Sequence, residues 1–197
     1  MLCYLLPVAA YLAGSLSSAI IVCRVMRLPD PRTAGSHNPG ATNVLRLGGP
    51  QAAALTLFGD VLKGTVPMAA ARLLTDDPMV AALTGVGALL GHLYPLFFGF
   101  AGGRGVATAA GVCLALSPPL AGLLLVLWLV MALAFRYSSL AALTAALAAP
   151  PLTAWLVPGW PYLAMALLLA ALLFIRHRDN IRRLLAGEES RIRLRRP

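Results

Sequence analysis

Long apolar stretches, separated by short polar breaks, run through almost the whole chain and constrain its fold most strongly. A bilayer core requires about 20 consecutive apolar residues in helical form, and most of these stretches approach that length. Because lipid offers no partner for backbone N–H and C=O groups, each stretch predicts an α-helix. The stretches comprise residues 2–25, 51–74, 79–98, 106–116, 119–135, 140–157 and 160–175. The fourth is short and, at about 1.5 Å per residue, crosses only part of the core.

The composition supports a membrane protein and excludes an ordinary soluble domain. Hydrophobic residues make up 59% of the 197 residues and charged residues only 12%, against about 25% charged residues in soluble domains. We therefore predict an all-α, polytopic helical bundle with seven transmembrane helices, one of them short, forming a single domain of residues 1–197. The N-terminal stretch lacks a basic flank and exceeds the length of a signal peptide, so we expect it to remain as the first span. The three cysteines show neither a disulfide framework nor metal-ligand spacing.

The basic residues are distributed unevenly about the seven stretches, which predicts the orientation. With seven spans, the breaks at residues 76–78, 117–119 and 158–161 fall on one side of the membrane. The other side receives fourteen of the sixteen basic residues, while Arg72 faces the opposite way and Lys63 lies within a span. Basic loops stay cytoplasmic, so we expect an outside N-terminus and a cytoplasmic C-terminus. The net charge of +9 then indicates anionic lipid headgroups, also contacted by Arg191, Arg193, Arg195 and Arg196, and not nucleic acid.

The first polar loop combines small residues with hydrogen-bond donors. Glycines allow a tight bend that turns successive N–H groups toward an anion, and an arginine can bind phosphate through two parallel hydrogen bonds. The same residue types also form an ordinary capped turn between helices, and this alternative stays open. The candidate residues of this loop are Ser36, Asn38, Thr42, Asn43 and Arg46.

A second polar segment leads into the fourth apolar stretch. A glycine-rich turn before a helix N-terminus is suited to an anion, because free N–H groups and the helix dipole point the same way. Packing of small residues between membrane helices is the alternative, but it does not account for an arginine among three glycines. The candidates are His92, Gly102, Gly103, Arg104, Gly105 and Thr108.

Charged and polar residues also lie within or next to three of the predicted spans. Asp60 and Lys63 are three positions apart in the second span, where an unpaired charge costs about 2.5–3.5 kcal/mol. They indicate either a polar cavity or a self-neutralised structural pair. Ser138 and Ser139 lie in the short segment that follows the fifth span. If the last helix continues past its apolar end, His177 and Asn180 lie on one face, one turn apart; the alternative is a helix-terminal cap.

Six motifs occur in order: G-S-x-N-P-G-A-T-N, D-x-x-K-G, G-H-x-x-P-x-F, G-G-[KR]-G-V-A-T, R-x-x-S-L and R-H-R-x-N. Together they resemble the PlsY family, the acyl-phosphate:glycerol-3-phosphate acyltransferases, over nearly the whole chain. The family commonly has Gly where His37 stands and Lys where Arg104 stands. The resemblance implies seven membrane helices and cytoplasmic motifs. It further implies that an acyl group passes from acyl phosphate to the sn-1 hydroxyl of glycerol 3-phosphate, giving lysophosphatidic acid and phosphate, the first step of bacterial phospholipid synthesis.

The resemblance and the residue chemistry together suggest a role for each segment. Acyl phosphate carries a good leaving group, so orientation and charge stabilisation suffice and no covalent nucleophile is assigned. We expect no cofactor and no metal. The enzyme that makes acyl phosphate is a potential functional partner, and the site should face the cytoplasm from the bacterial inner membrane. Catalytic candidates are Ser36, Asn38, Thr42, Asn43, Asp60 and Lys63; glycerol-3-phosphate candidates are Arg46, Ser138, Ser139, His177 and Asn180; acyl-phosphate candidates are His92, Gly102, Gly103, Arg104, Gly105 and Thr108.

Two other classes of function remain as alternatives. A secondary transporter for a phosphorylated solute would also use broken helices and a charged pair in a span. However, the polar segments gather on one predicted face and no internal repeat is visible. A non-catalytic assembly subunit would account for the apolar spans but not for the polar loops.

Overall fold

The computed structural model describes residues 2–192, and all regular secondary structure in that range is helical. Within that range no strand occurs, which confirms the all-α prediction. Short 3-10 segments at Leu2–Leu5 and Leu96–Phe98 accompany the α-helices. The α-helices are α1 (Leu6–Gly14), α2 (Ser18–Val25), α3 (Ala41–Leu74), α4 (Pro78–Leu93), α5 (Val106–Leu116), α6 (Pro118–Phe135), α7 (Ser138–Leu156), α8 (Trp160–Arg176) and α9 (Arg178–Leu185).

The helices follow the predicted apolar stretches closely, with breaks at the proline-containing segments. Four segments are long and apolar enough to cross a membrane: Leu6–Val25, Pro78–Phe98, Pro118–Phe135 and Ser138–Leu156. The pair α8 and α9, bent by 60°, can supply a fifth. Residues 51–74 lie in α3, which carries charged residues, and α5 is an apolar helix of 11 residues. The count of seven spans and their orientation remain predictions.

Three departures from the sequence expectations concern the ends and interiors of helices. The first predicted span is broken between α1 and α2 at residues 15–17. Helix α3 begins ten residues before the predicted span and is kinked at Gly49 (φ 78°), directly before Pro50. The last helix does not continue straight through residue 177, because the chain bends there and α9 runs in a new direction.

The chain divides into two compact units, residues 1–116 and 117–197. In the first unit α1 packs against α4, and α3 packs against α5. Glycines allow the close approach of α3 and α5: a Cβ on Gly64 would lie 2.1 Å from the Thr108 carbonyl oxygen. A Cβ on Gly111 would lie equally close, at 2.1 Å, to the Val61 carbonyl oxygen. Small residues thus bring the backbones of these helices into contact, as membrane bundles require.

The side chain of Arg72 binds the carbonyl groups at the C-terminal end of the short helix α5. Its guanidinium Nη1 donates hydrogen bonds to the carbonyl oxygen of Ala115, at 3.0 Å, and to that of Leu116. The last carbonyl groups of a helix have no partner within the helix, and a cationic side chain there also complements the helix dipole. Arg72, which departs from the predicted charge distribution, therefore acts as the C-terminal cap of α5.

In the second unit α7 contacts α6, α8 and α9. The segment after α9 folds back onto the turn between α6 and α7. There the Ile192 N–H donates to the Arg136 carbonyl oxygen at 2.7 Å, and Arg136 Nη2 donates to the Ile192 carbonyl oxygen at 3.0 Å. The Arg191 guanidinium lies over the ring of Tyr137 and donates to its hydroxyl oxygen. Of the four arginines predicted to lie on anionic lipid, Arg193, Arg195 and Arg196 are outside the described residues.

Candidate active site

Asn43 holds the first polar loop in place from within. Its Nδ2 donates to the carbonyl oxygens of Pro31 and Ala34, each at 3.0 Å, and its Oδ1 accepts from the Ser36 N–H at 2.8 Å. The side chain is buried, and a Cβ on Gly35 (φ 66°) would lie 2.2 Å from its Oδ1. The amide therefore organises the loop, as the capped-turn interpretation expects.

The backbone of the same loop takes an unusual conformation at His37. Its φ of 54° lies in the left-handed region, which favours glycine, the residue that the PlsY family commonly has there. Nearby, Arg32 forms an ion pair with Asp30 at 2.6 Å and donates to the Phe98 carbonyl oxygen at 3.3 Å. The hydrogen bond from Arg32 lowers the pKa of Asp30 below its ordinary value, so this pair stays charged at neutral pH.

The other candidates of this loop are more accessible. Ser36, Thr42 and Arg46 are exposed, and Asn38 is half-buried. Thr42 and Arg46 lie in the first turns of α3, so their side chains begin at a fixed helix end. These residues are able to reach a ligand in solution without a change in the fold.

A buried polar cluster joins α3, α4 and α5 in the first unit. Lys63 Nζ lies 2.9 Å from Asp60 Oδ1 and donates to the Leu16 carbonyl oxygen at 3.3 Å. His92 Nδ1 lies 3.7 Å from the same carboxylate oxygen, and all three side chains are buried. The ammonium group thus faces a carboxylate and a carbonyl oxygen, the geometry of a self-neutralised pair.

Thr108 fixes which nitrogen of His92 carries a proton. Its hydroxyl donates its single hydrogen to the Asp60 carbonyl oxygen at 2.9 Å, and the same oxygen lies 3.0 Å from His92 Nδ1. A hydroxyl that has given its hydrogen away can only accept, so Nδ1 is the donor. The other ring nitrogen, Nε2, faces the glycine turn: a Cβ built on Gly103 would lie 2.4 Å from it.

The glycine turn before α5 lies directly on the end of α4. The Gly103 N–H donates to the His92 carbonyl oxygen at 3.2 Å, and a Cβ on Gly102 would lie 2.1 Å from that oxygen. Gly105 has a φ of 85°, and a Cβ there would lie 2.4 Å from Leu89 Cδ1. Arg104 is half-buried between these glycines. The structure therefore places His92, Thr108 and the glycine turn next to one another. The sequence analysis names all of them as candidates for binding acyl phosphate.

Glu189, which the sequence analysis did not identify, organises the polar residues of the second unit. Its Oε1 accepts from the Ser139 hydroxyl at 2.7 Å and from Asn180 Nδ2 at 2.6 Å, and its Oε2 accepts from Arg183 Nε at 2.7 Å. Burial raises the pKa of Glu189, but these three hydrogen bonds outweigh burial and lower the pKa below its ordinary value. The signal in the sequence was an acidic pair, residues 188–189, within an arginine-rich tail.

His177 lies at the bend between α8 and α9 and Asn180 lies in the first turn of α9; both are buried. His177 Nδ1 lies 2.7 Å from the Leu173 carbonyl oxygen, which can only accept, so Nδ1 carries a proton. Ser138 is half-buried at the first position of α7. Asn180 is buried and hydrogen-bonded to Glu189, so it belongs to the packed part of the second unit.

Residues 2–192 contain no group of three or more His, Cys, Asp or Glu side chains arranged to hold a metal ion. The buried cluster contains two side chains of these types, Asp60 and His92. Asp60 is paired with Lys63, and His92 is hydrogen-bonded to Thr108.

Comparison with known proteins shows which family the chain belongs to. The family described as glycerol-3-phosphate acyltransferase matches residues 4–187. The glycerol-3-phosphate acyltransferase of Shewanella oneidensis is 53% identical over 194 residues, which covers 98% of the chain and 95% of that relative. The glycerol-3-phosphate acyltransferase of Halorhodospira halophila is 54% identical over 192 residues, which covers 98% of the chain and 98% of that relative.

A solved structure is similar over almost the same length. The crystal structure of PlsY (YgiH), an integral membrane glycerol 3-phosphate acyltransferase, in its glycerol 3-phosphate form, superposes with a TM-score of 0.93 at 41% identity. The match covers 98% of the chain and 96% of that protein. The chain therefore belongs to the PlsY family of integral membrane glycerol-3-phosphate acyltransferases.

Proposed function

We propose that the chain transfers an acyl group from acyl phosphate to the sn-1 hydroxyl of glycerol 3-phosphate. The C1 oxygen of glycerol 3-phosphate forms a bond to the acyl carbon, the bond between that carbon and the phosphate oxygen breaks, and the hydroxyl proton leaves on phosphate. The products are lysophosphatidic acid and inorganic phosphate. One observation carries the proposal: the solved structures that the chain matches over 97–98% of its length are a glycerol 3-phosphate form and a lysophosphatidic acid form.

The glycine turn supports a phosphoryl group as the donor's leaving group. Gly102, Gly103 and Gly105 keep the backbone free of side chains before α5, and the first N–H groups of that helix lack partners within it. Arg104 adds a positive charge at the turn. A phosphate leaving group departs as a stabilised anion, so a site that binds its charge needs no covalent nucleophile.

The buried cluster beneath the turn supports a positioning role for Asp60, Lys63 and Thr108. Lys63 is neutralised by Asp60 and does not carry a free positive charge toward a substrate. Thr108 instead holds His92 with Nδ1 protonated, so Nε2 faces the turn in a fixed orientation. His92 and the glycines are therefore the residues of this cluster that we propose to contact the acyl phosphate.

The second unit supports binding of glycerol 3-phosphate through Ser138, Ser139, His177 and Asn180. Ser139 and Asn180 share the carboxylate of Glu189, which orients both side chains. Arg46, in the first unit, stays a candidate for glycerol 3-phosphate from the sequence and is exposed near the start of α3. Ser36, Asn38 and Thr42 remain candidates of the neighbouring loop, whereas Asn43 supports that loop.

We place the protein in the bacterial inner membrane with this site on the cytoplasmic face, because fourteen of the sixteen basic residues fall on one predicted side. Membrane lipid surrounds the spans, and the acyl phosphate, once made, is positioned at the membrane surface by its chain. An enzyme that makes acyl phosphate is therefore the proposed functional partner.

The test is acyl transfer by the purified protein in detergent. Palmitoyl phosphate with glycerol 3-phosphate should yield lysophosphatidic acid and phosphate in equal amounts, whereas palmitoyl-CoA should support little or no transfer. A sealed compartment should not be required, which separates an enzyme from a transporter. Sustained, efficient use of palmitoyl-CoA would show that the donor is misassigned, and no product with either donor would refute the proposed reaction.

A further inference from the structure

Glu189 fixes the orientation of the Asn180 side chain. The amide nitrogen Nδ2 donates to Glu189 Oε1 at 2.6 Å. An ionised carboxylate only accepts hydrogen bonds, so the amide group cannot be turned over without placing its oxygen against another acceptor. The donors from Ser139 and Arg183 keep this carboxylate ionised by lowering its pKa. Asn180 Oδ1 must therefore point away from Glu189.

Asn180 Oδ1 is a buried acceptor without a donor. Among residues 2–192, no N–H or O–H group donates to it, and the side chain is only 2% exposed. A buried polar atom without a partner is unfavourable, and such atoms are few in folded proteins. Because the hydrogen bond to Glu189 holds the side chain in this orientation, a donor to Oδ1 has to come from outside residues 2–192, and a bound substrate can supply it.

The missing partner identifies the chemical group that is bound. A fully ionised phosphate group has only acceptors, so it cannot satisfy Oδ1; a hydroxyl group can. Glycerol 3-phosphate carries two hydroxyls, at C1 and C2. The C1 hydroxyl loses its hydrogen on acylation, which would leave Oδ1 unsatisfied again in the product complex, whereas the C2 hydroxyl persists from substrate to product.

We propose that Asn180 Oδ1 accepts a hydrogen bond from the C2 hydroxyl of the acceptor substrate, and so selects a vicinal diol phosphate over a simple hydroxyalkyl phosphate. This inference rests on the proposed function and extends it by assigning the atom that recognises glycerol 3-phosphate. An asparagine near a phosphate would ordinarily donate to it through the amide nitrogen. Here that nitrogen donates to Glu189, so the oxygen is the atom that contacts the substrate. Glu189 is the positioning residue for this contact.

The experiment compares glycerol 3-phosphate with 3-hydroxypropyl phosphate, which lacks only the C2 hydroxyl, using purified protein and palmitoyl phosphate. The wild-type protein should use the analogue with a kcat/KM about 10- to 100-fold lower, because the analogue leaves Oδ1 buried without a donor. In Asn180→Ala this difference between the two substrates should shrink to about threefold or less. Ser139→Ala is the matched control, because it removes another hydrogen bond to Glu189 while Oδ1 is retained, and it should keep most of the discrimination.

The outcomes separate this inference from the proposed function. Equal use of both substrates by the wild-type protein would overturn the assignment, including the case in which a buried water satisfies Oδ1, and this comparison requires no variant to fold. Full discrimination in Asn180→Ala would overturn it as well. Failure of the wild-type protein to acylate glycerol 3-phosphate at all would refute the proposed reaction, and the assignment with it.

Discussion

Lys63 Nζ lies 2.9 Å from Asp60 Oδ1, one turn further along α3, and both side chains are buried. Removal of one partner leaves the other as an uncompensated buried charge, which costs about 3–5 kcal/mol. We therefore expect Asp60→Ala to lower the stability by about this amount, measured as a fall in melting temperature in detergent. The double variant Asp60→Leu/Lys63→Met should melt well above Asp60→Ala, because neither charge remains. Wild-type melting of Asp60→Ala would show that the pair does not stabilise the bundle.

The contact between α3 and α5 depends on Gly64. A Cβ there would lie 2.1 Å from the Thr108 carbonyl oxygen, a backbone atom that cannot move aside easily. Gly64→Ala should separate the two helices and lower the melting temperature, with a cost of about 1–3 kcal/mol. Gly122→Ala is the control, because no atom of the described chain beyond the neighbouring turns of its own helix lies within 4 Å of that Cβ, and alanine favours a helix. Equal melting of the two variants would argue against the close approach.

The hydroxyl group of Thr108 should contribute to activity by positioning His92. Thr108→Val removes the hydroxyl between His92 Nδ1 and the Asp60 carbonyl oxygen, so we expect about a tenfold or larger loss in kcat/KM for acyl phosphate. Thr65→Val is the matched control: the Thr65 hydroxyl also links α3 to α5, through the Gly111 carbonyl oxygen, without contacting His92. Steady-state kinetics with similar losses in both variants would contradict a positioning role for Thr108.

Glu189 gives the second unit a defined dependence on pH. Because its pKa is lower in the folded protein than in the unfolded chain, its hydrogen bonds stabilise the fold above the ordinary glutamate pKa of about 4.3. This contribution is lost as the pH falls below that value and through the lowered pKa. Melting temperatures between pH 7 and pH 3 should therefore fall more steeply for the wild-type protein than for Glu189→Gln.

The neighbouring residue provides the control for this titration. Glu188 is exposed, so Glu188→Gln should follow the wild-type pH profile. A Glu189→Gln profile that coincides with that of Glu188→Gln would show that the three hydrogen bonds do not depend on the charge of Glu189.

The predicted orientation can be tested with two reporter fusions. A reporter after Arg196 should be cytoplasmic, because the basic residues gather on that predicted side. A reporter inserted between Asp77 and Pro78 should be external. Since Asp77 caps α4 by accepting from the Met79 N–H at 2.8 Å, a second insertion before Asp77 keeps this cap and serves as the control for local unfolding. Reporters on the same side of the membrane would contradict seven spans.

The sequence by itself determined the helices and most of their ends. Spanning segments must satisfy their own backbone hydrogen bonds, so apolar length predicts helix, and prolines with polar residues mark the breaks. It also placed Asp60 beside Lys63, because a spacing of three residues on a helix brings side chains together whatever the tertiary structure.

Tertiary structure decided everything that joins distant segments. Thr108 meets the Asp60 carbonyl 48 residues away, Arg72 caps α5 from α3, and Glu189 binds Ser139 from the far end of its unit. The burial of Asn180 likewise follows from packing. No local pattern encodes these contacts, because each depends on which helix backbones approach one another closely enough for short side chains to meet.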